Sequence, residues 1–441
     1  MQHWNLADTC DAAEVPAQDA AAYRLPTCWS DIPAAALTCD VVTSAARLEE
    51  LRAEWDDVWH RAAAPRHSQS HDWAMAAWQI SASRRSRDLW VLVMRQAGRP
   101  VLIWPMTLRR KAGCRIAEGL GSDSCDFDPL LVADGPQAGD AMATAWAYVR
   151  ACLPADIVHI PFVAVGSRRA ATLAGHGLSR FVDPLPCPVV EIAQTRDWSA
   201  YWTSRKKKLR QGIARRQRRL EELGQLEIRW LHDHAEIVTA IDAMLGWKAD
   251  WARAKGLRAA FLERADYRQF LIAMATRATD CGQMKVMAAL LDGRPIAVST
   301  GSTDGHRFEG YVTTFDRAYD AVAPGTLLLA ACLQWCSEQG LDCDMRIGAE
   351  PYKLDWATAD APVANHDVTL TARGAAYLAL RVGLFRTRHW RDRLRNALPA
   401  GLRAGVKRVL SAYPGNSIHA AATPITAVAS QPMHTIDRLP V

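Results

Sequence analysis

No stretch of these 441 residues runs apolar for the ~18 positions that a membrane-spanning helix needs. The opening, MQHWNLADTCDAAEV, has neither the basic start nor the apolar centre of a secretory leader. The 11 cysteines are an odd number, with no C-x-x-C pair and no His/Cys spacing of the kind that holds a metal. The odd count and the missing leader argue for a reducing compartment. The expectation is a cytoplasmic chain, with peripheral contact to an anionic membrane as its alternative setting. Also missing are the G-x-G-x-x-G fingerprint, the P-loop and a serine nucleophile elbow. One absence is local. Between Ser204 and Arg219 there is no acidic residue, while Arg205, Lys206, Lys207, Lys208, Arg210, Arg215, Arg216, Arg218 and Arg219 crowd together.

The net charge of +6 hides this segregation. A second basic run, Arg381 to Arg408, holds nine cationic residues against Asp392 alone, so the rest of the chain carries about −11. Two positive patches on an acidic body point to an anionic ligand or surface. The length is too great for one ordinary core, and two domains are expected.

Residues 1–38 are Ala-rich with little periodicity and read as a loose extension. In TSAARLEELRAEWDDVWHRA, Leu48, Leu51, Trp55, Val58 and Trp59 recur at helical spacing, and SHDWAMAAWQI reads as a second helix. Two strand-like runs then flank Ala97-Gly98-Arg99-Pro100, a hairpin signal. The same signature returns at Asp292-Gly293-Arg294-Pro295, again between strand-like runs, with a third run in RFEGYVTTFD. The repetition predicts two copies of one α/β unit, residues 39–190 and 191–370, joined near the Pro-dense segment 184–188. A basic helical extension, 371–413, and a disordered tail, 414–441, would follow. In the extension Leu380, Leu384, Trp390, Leu394 and Leu398 form an apolar side, suited either to a membrane surface or to the second domain.

Candidate chemistry gathers past the last strand of the second unit, where Asp344, Glu350, Tyr352 and Lys353 stand close in sequence. Ligands in open α/β sheets collect at such carboxyl ends. Tyr and Lys can donate protons to a leaving group, and Glu can accept one from a nucleophile. An exposed polar turn is the competing reading. Pro324-Gly325-Thr326 opens a strong helix whose free N–H groups and dipole suit a diphosphate, although Pro-Gly is also plain punctuation. Asp123, Asp126 and Asp128 share one loop of the first unit, either to hold a polar acceptor or a cation, or to make Asx-turns. Cys332 and Cys336 read as core, and His232 and His234 as helix-start residues. On the basic helix, Leu209, Ile213, Leu220 and Leu223 mark a narrow apolar stripe, which leaves the cations facing outward.

The pieces LEELRAEWDDVWHRA, IWPMTL, SRKKKLRQGIARRQRRLEELG, LDGRPIAVSTG, DRAYDAVAPGTLLL and DMRIGAEPYKLDWA, in that order over residues 43–360, resemble the acetyltransferase-like family of bacterial cellulose and exopolysaccharide biosynthesis. That family lies in the GNAT superfamily and is related to the Fem-type aminoacyltransferases. The resemblance implies tandem GNAT-like units, each a mixed, mostly antiparallel sheet flanked by helices. It implies acyl transfer from acyl-CoA, acetyl-CoA included, to an amine or hydroxyl, with no tightly bound cofactor. Pro324-Gly325-Thr326 then takes the pyrophosphate position, and Gly348, Glu350, Tyr352 and Lys353 match a G-x-E-x-Y-K pattern. The backbone of the YVTTF strand, at Thr313 and Thr314, would face the thioester. Arg205, Lys208 and Arg210 would meet donor phosphates or a nucleotide-sugar acceptor, and Asp126 a polar acceptor. The general GNAT donor loop, Q/R-x-x-G-x-G/A, is absent. Two other readings stand beside this one: a tRNA-dependent Fem-type transferase, and a non-enzymatic partner of a polysaccharide synthase. Nucleic acid is otherwise not expected, because no aromatic residues interleave the basic run.

Overall fold

The computed structural model describes residues 4–5, 37–82, 87–121, 128–136, 138–175, 184–256, 259–348 and 350–383. The first unit begins with β1 (Trp4–Asn5) and β2 (Leu37–Val42), then α1 (Ala45–Glu50), α2 (Arg52–Arg61) and α3 (His71–Ala82). The stretch expected to be loose therefore contributes an edge, Trp4–Asn5 pairing with Thr38 and Cys39. Strands β3 (Arg87–Gln96), β4 (Arg99–Lys111), β5 (Cys114–Gly119) and β6 (Leu131–Val132) follow, then α4 (Ala138–Cys152), β7 (Ile157–Ala164) and α5 (Arg168–Gly175).

The second unit runs β8 (Pro188–Val190), α6 (Trp198–Ser204), α7 (Lys207–Glu221), β9 (Leu226–Trp230), α8 (His234–Ala254) and α9 (Ala265–Thr276). Strands β10 (Gln283–Leu291), β11 (Arg294–Thr303) and β12 (Arg307–Phe315) make its meander. Then come α10 (Gly325–Gln339), β13 (Asp342–Asp344), α11 (Pro351–Trp356), β14 (Ala359–Asp360), β15 (Val363–Thr369) and a helix over 372–383. The basic run forms one helix, α7, with Arg205 and Lys206 in the short link that joins it to α6. Its stripe is shorter than expected. Ile213 and Leu220 are buried, but Leu223 lies beyond the helix end and is exposed. Of the expected amphipathic extension, Leu380 is exposed, and residues from Leu384 onward lie outside those described.

Each unit is a mixed, mostly antiparallel sheet flanked by helices, and the repeat is visible in the hairpins. Ala97-Gly98 and Asp292-Gly293 both adopt positive φ at both positions, the type I′ turn that suits a two-residue hairpin. Past each turn a proline takes the second ladder position, Arg95 opposite Pro100 and Leu290 opposite Pro295, and the register then slips by one residue. Proline cannot donate to the ladder, so a bulge at the next residue, Val101 or Ile296, absorbs the defect. Both units also carry a three-residue parallel pair, β5 with β7 and β12 with β13, ending on a buried glutamate, Glu118 or Glu309.

The sheets exchange strands across the junction expected at residue 190. The first has the order β1-β2-β3-β4-β5-β7-β15 and the second β14-β8-β13-β12-β11-β10-β9. β15 thus follows the second unit in sequence but completes the first sheet. Between the units, Trp73 of α3 packs edge-on against Phe270 of α9, and Ala77 and Ile80 join one core with Ile241, Met244 and Val286.

Candidate active site

The parallel pairing of β12 with β13 lasts only from Arg307↔Asp342 to Glu309↔Asp344. β12 runs on to Phe315, whereas the chain at Met345 and Gly348 turns aside to donate N–H bonds to Pro188 and Pro186 carbonyls. Among the described residues, Gly310 to Phe315 therefore has a strand partner on the β11 side only, and a gap opens on the other. A bulge at Tyr311 sharpens the bend: Thr300 faces Val312 and Gly301 faces Gly310, leaving Tyr311 over. Thr300 Oγ1 accepts from the Val312 N–H at 3.2 Å, replacing the ladder bond lost there. Gly301 permits this approach, since a Cβ would lie 2.1 Å from the Phe308 ring.

The N-terminus of α10 abuts the far end of the gap. A Cβ on Gly325 would stand 3.3 Å from the Phe315 ring and 3.7 Å from the Thr313 methyl. Ala323, at φ 44°, turns its carbonyl to accept both the N–H (3.1 Å) and the hydroxyl (2.7 Å) of Thr326. The Gly325 N–H is a first-turn donor with no protein partner among the described residues, at the positive end of the helix dipole. Thr313 is exposed and shares a 2.8 Å hydroxyl contact with Ser299, and Thr314 pairs with Val298.

The G-x-E-x-Y-K segment has a local logic of its own. Lys353 is buried, and its ammonium donates to the Ile347 and Arg346 carbonyls at 2.7 and 3.2 Å and pairs with Glu350 Oε2 at 3.2 Å. Gly348 is needed because its φ is +125° and a Cβ would fall 2.3 Å from the Glu350 carboxylate. Gly348, Glu350 and Lys353 together fasten the loop that bounds the gap, and Tyr352 is left exposed beside them. Partial desolvation against its neighbours and the Glu350 charge push the Tyr352 phenol above its ordinary pKa.

Asp344 is buried deeper. It accepts from Arg66 at 3.1 Å, the Arg346 N–H at 2.7 Å and the Cys187 thiol at 3.2 Å, while Arg66 also pairs with Glu309. Burial opposes ionisation of both carboxyls. Arg66 and the Arg346 N–H overcome it at Asp344, which is held below the usual range, whereas Glu309 beside that charge is pushed up. Asp344 thus ties the first unit, through Arg66, to the second sheet.

The basic residues are placed variously. Arg205 lies over the Tyr201 ring at 4.8 Å and donates to the Trp356 and Ala357 carbonyls, each at 3.1 Å, so it caps α11. Arg210 Nε reaches the Arg205 carbonyl at 3.3 Å. Lys208 is exposed in the first turn of α7. Asp126 lies outside the described residues, and its neighbour Asp128 pairs with half-buried Arg169.

Sequence reasoning missed Lys248 of α8. Burial and the nearby Lys353 lower its ammonium pKa, while Glu350 beside it acts the other way. Its signal was available: Ile237, Ile241, Met244 and Ala252 form the buried stripe of α8, and Lys248 occupies the same register. Arg346, at φ 60°, lies 5.0 Å over the Tyr311 ring and was missed likewise.

Residues 207–354 match the family model described as an acetyltransferase (GNAT) domain, and the gap lies inside the matched segment. The described chain also shares its fold with FemX, at 10% identity and TM-score 0.52 over 72% of this chain and 96% of that one. Two further solved structures are similar. One is a tandem GNAT protein of the clavulanic acid pathway, at 18% identity and TM-score 0.44, covering 76% of this chain and 99% of that one. The other is the C-terminal domain of a putative lysylphosphatidylglycerol synthetase from Agrobacterium fabrum, at 14% identity and TM-score 0.48, covering 76% and 96%. No curated protein matches the sequence. No helix among the described residues is long and apolar enough to cross a membrane.

Proposed function

We propose that the chain moves an acyl group from acyl-CoA, with acetyl-CoA the simplest donor, to an amine or hydroxyl of a sugar or other polar metabolite of envelope polysaccharide assembly. The observation that carries this reading is the gap beside Gly310 to Phe315, which ends at the N-terminus of α10. A donor diphosphate would sit at the Gly325 N–H and helix dipole, with exposed Lys208 as a further cation. The thioester arm would lie along β12, whose free backbone N–H groups would stabilise the developing oxyanion. The acceptor's lone pair bonds to the carbonyl carbon as the C–S bond breaks. Its proton passes to Lys248 in that side chain's deprotonated form, which burial and Lys353 favour, since Glu350 is already engaged by Lys353. Tyr352 donates its phenolic proton to the departing thiolate.

Thiol release from acetyl-CoA on addition of amino sugars or polysaccharide precursors tests this, together with Gly325→Asp. That variant should bind CoA at least about tenfold more weakly by calorimetry. Unchanged CoA affinity would move the donor elsewhere. A second reading, transfer from aminoacyl-tRNA, has its own support in the exposed Lys207, Lys208, Arg215, Arg218 and Arg219 of α7 and the fold shared with FemX. RNase-sensitive transfer would favour it. Neither activity, with stable binding to a synthase subunit, would favour a non-enzymatic partner.

A further inference from the structure

On the first unit a pocket of about 620 Å³ lies at the β4–β5 hairpin tip, and none of its lining residues belongs to the gap described above. Its cations are Arg110, Lys111, Arg115 and Arg373, and Leu153, Pro154 and Ala155 give it an apolar wall. The tip is a type I′ turn, Ala112 at φ 49° and Gly113 at φ 79°. That turn fixes the register, and the register sets Arg110 directly opposite Arg115. Like charges facing each other across an antiparallel ladder repel. Arg115 is relieved at 2.6 Å by Asp88, whereas Arg110 has no acidic partner among the described residues. Half-buried Lys111 has its ammonium disfavoured by burial, Arg109 and Arg381, with Glu118 acting the other way.

The one acid in the lining cannot compensate. Asp156 is buried, and its oxygens already accept from the Arg115 N–H (2.7 Å), the Thr371 hydroxyl (2.7 Å) and Arg373 (3.0 Å). Arg110 therefore stands on this wall without an acidic partner among the described residues, set against Arg115 by the register of the hairpin. We infer that this pocket binds a phosphate mono- or diester, the phosphate between Arg110, Lys111 and Arg115 and the carbon body against Leu153–Ala155. Arginine pairs on phosphate with fork geometry, and the apolar wall distinguishes an organic phosphate from a bare ion.

The test uses the full chain with three probes: inorganic phosphate, glycerol 3-phosphate, and phosphatidylcholine vesicles with or without phosphatidic acid. Wild type should bind glycerol 3-phosphate more tightly than inorganic phosphate, or float with the phosphatidic acid vesicles alone. The first outcome assigns a soluble ester, the second a lipid headgroup. In the double variant Arg110→Glu, Lys111→Glu, that binding should weaken at least about tenfold. Arg110→Ala gives the same direction without charge reversal, should the double variant fail to fold. Arg317→Glu, on an exposed segment of the second unit, should bind as wild type does. Equal binding by wild type and the pocket variants, binding of no probe by wild type, or an equal loss in Arg317→Glu would each overturn the assignment.

Discussion

Replacing Arg66 by Met removes a charge while keeping most of the side-chain stem, and the structure gives the size of the effect. Arg66 is one-fifth exposed and faces two carboxylates, Glu309 and Asp344, that are each under one-tenth exposed. Stripping the cation from a buried pair costs ~3–5 kcal/mol, because the carboxylate left behind has no compensation. Arg66 keeps some contact with water, so a value near 3 kcal/mol is expected at neutral pH. The pH dependence carries the sharper test. Asp344 is held below its ordinary 3.8, so its contribution to stability is present above that value and lost as pH falls through the folded one. Glu309 is displaced the other way, above 4.5, so stability declines as pH rises through its raised value. Without Arg66 both carboxyls rise, and protonation relieves both. The penalty of Arg66→Met should therefore shrink on going from pH 7 toward about pH 5. Urea denaturation followed by tryptophan fluorescence at the two pH values measures it. A loss under ~1 kcal/mol, or a loss independent of pH, would refute the view that Arg66 neutralises this pair.

Tyr352→Phe should lower turnover by about one to two orders of magnitude with little change in donor affinity, since a proton donated to the thiolate matters only in the transition state; steady-state kinetics with a CoA binding measurement separates the two. Lys248→Gln should abolish the limb of the pH–rate profile that rises as the Lys248 ammonium, displaced below its ordinary 10.5, loses its proton. A parallel profile at uniformly lower rate would instead make Lys248 a binding group. Gly348→Ala should cost ~1–3 kcal/mol through its φ of +125° and the clash with Glu350, read as a lower denaturation midpoint.

The fold was legible where local chemistry repeats. Ala97-Gly98 and Asp292-Gly293, each followed by Arg-Pro, turn at one register and bulge at one place, which a reader of turn residues can anticipate. The helix beginning at Gly325 and the short strand at Asp342–Asp344 were likewise written in punctuation and pattern. What stayed hidden depends on distance in the chain. Arg66 lies over 240 residues before Glu309, so nothing local reveals that Asp344 is held by it. Arg205, read as a ligand for an anion, meets the Trp356 carbonyl 151 residues away and spends its donors there. Lys353, read as an acid, is a buried tie for two carbonyls, a role fixed only once the Arg346–Gly348 loop closes on it. Lys248 was visible as a charge in an apolar register but not as a neighbour of Glu350.

The crossing of β15 into the first sheet has a consequence during synthesis. β7 leaves the ribosome with β5 to pair on one side, but the partner for its other edge, Val363–Thr369, is made some 200 residues later. At ~5–20 residues per second, that edge waits for roughly 10–40 s. During that time Ile157 to Val163 offers open C=O groups, and open N–H groups except at Pro161, on a strand that is almost wholly buried in the finished fold, the profile of a template for mispairing with another nascent chain. A chain stalled or cleaved before residue 363 should accordingly be the aggregating form, whereas one ended after 383 should not.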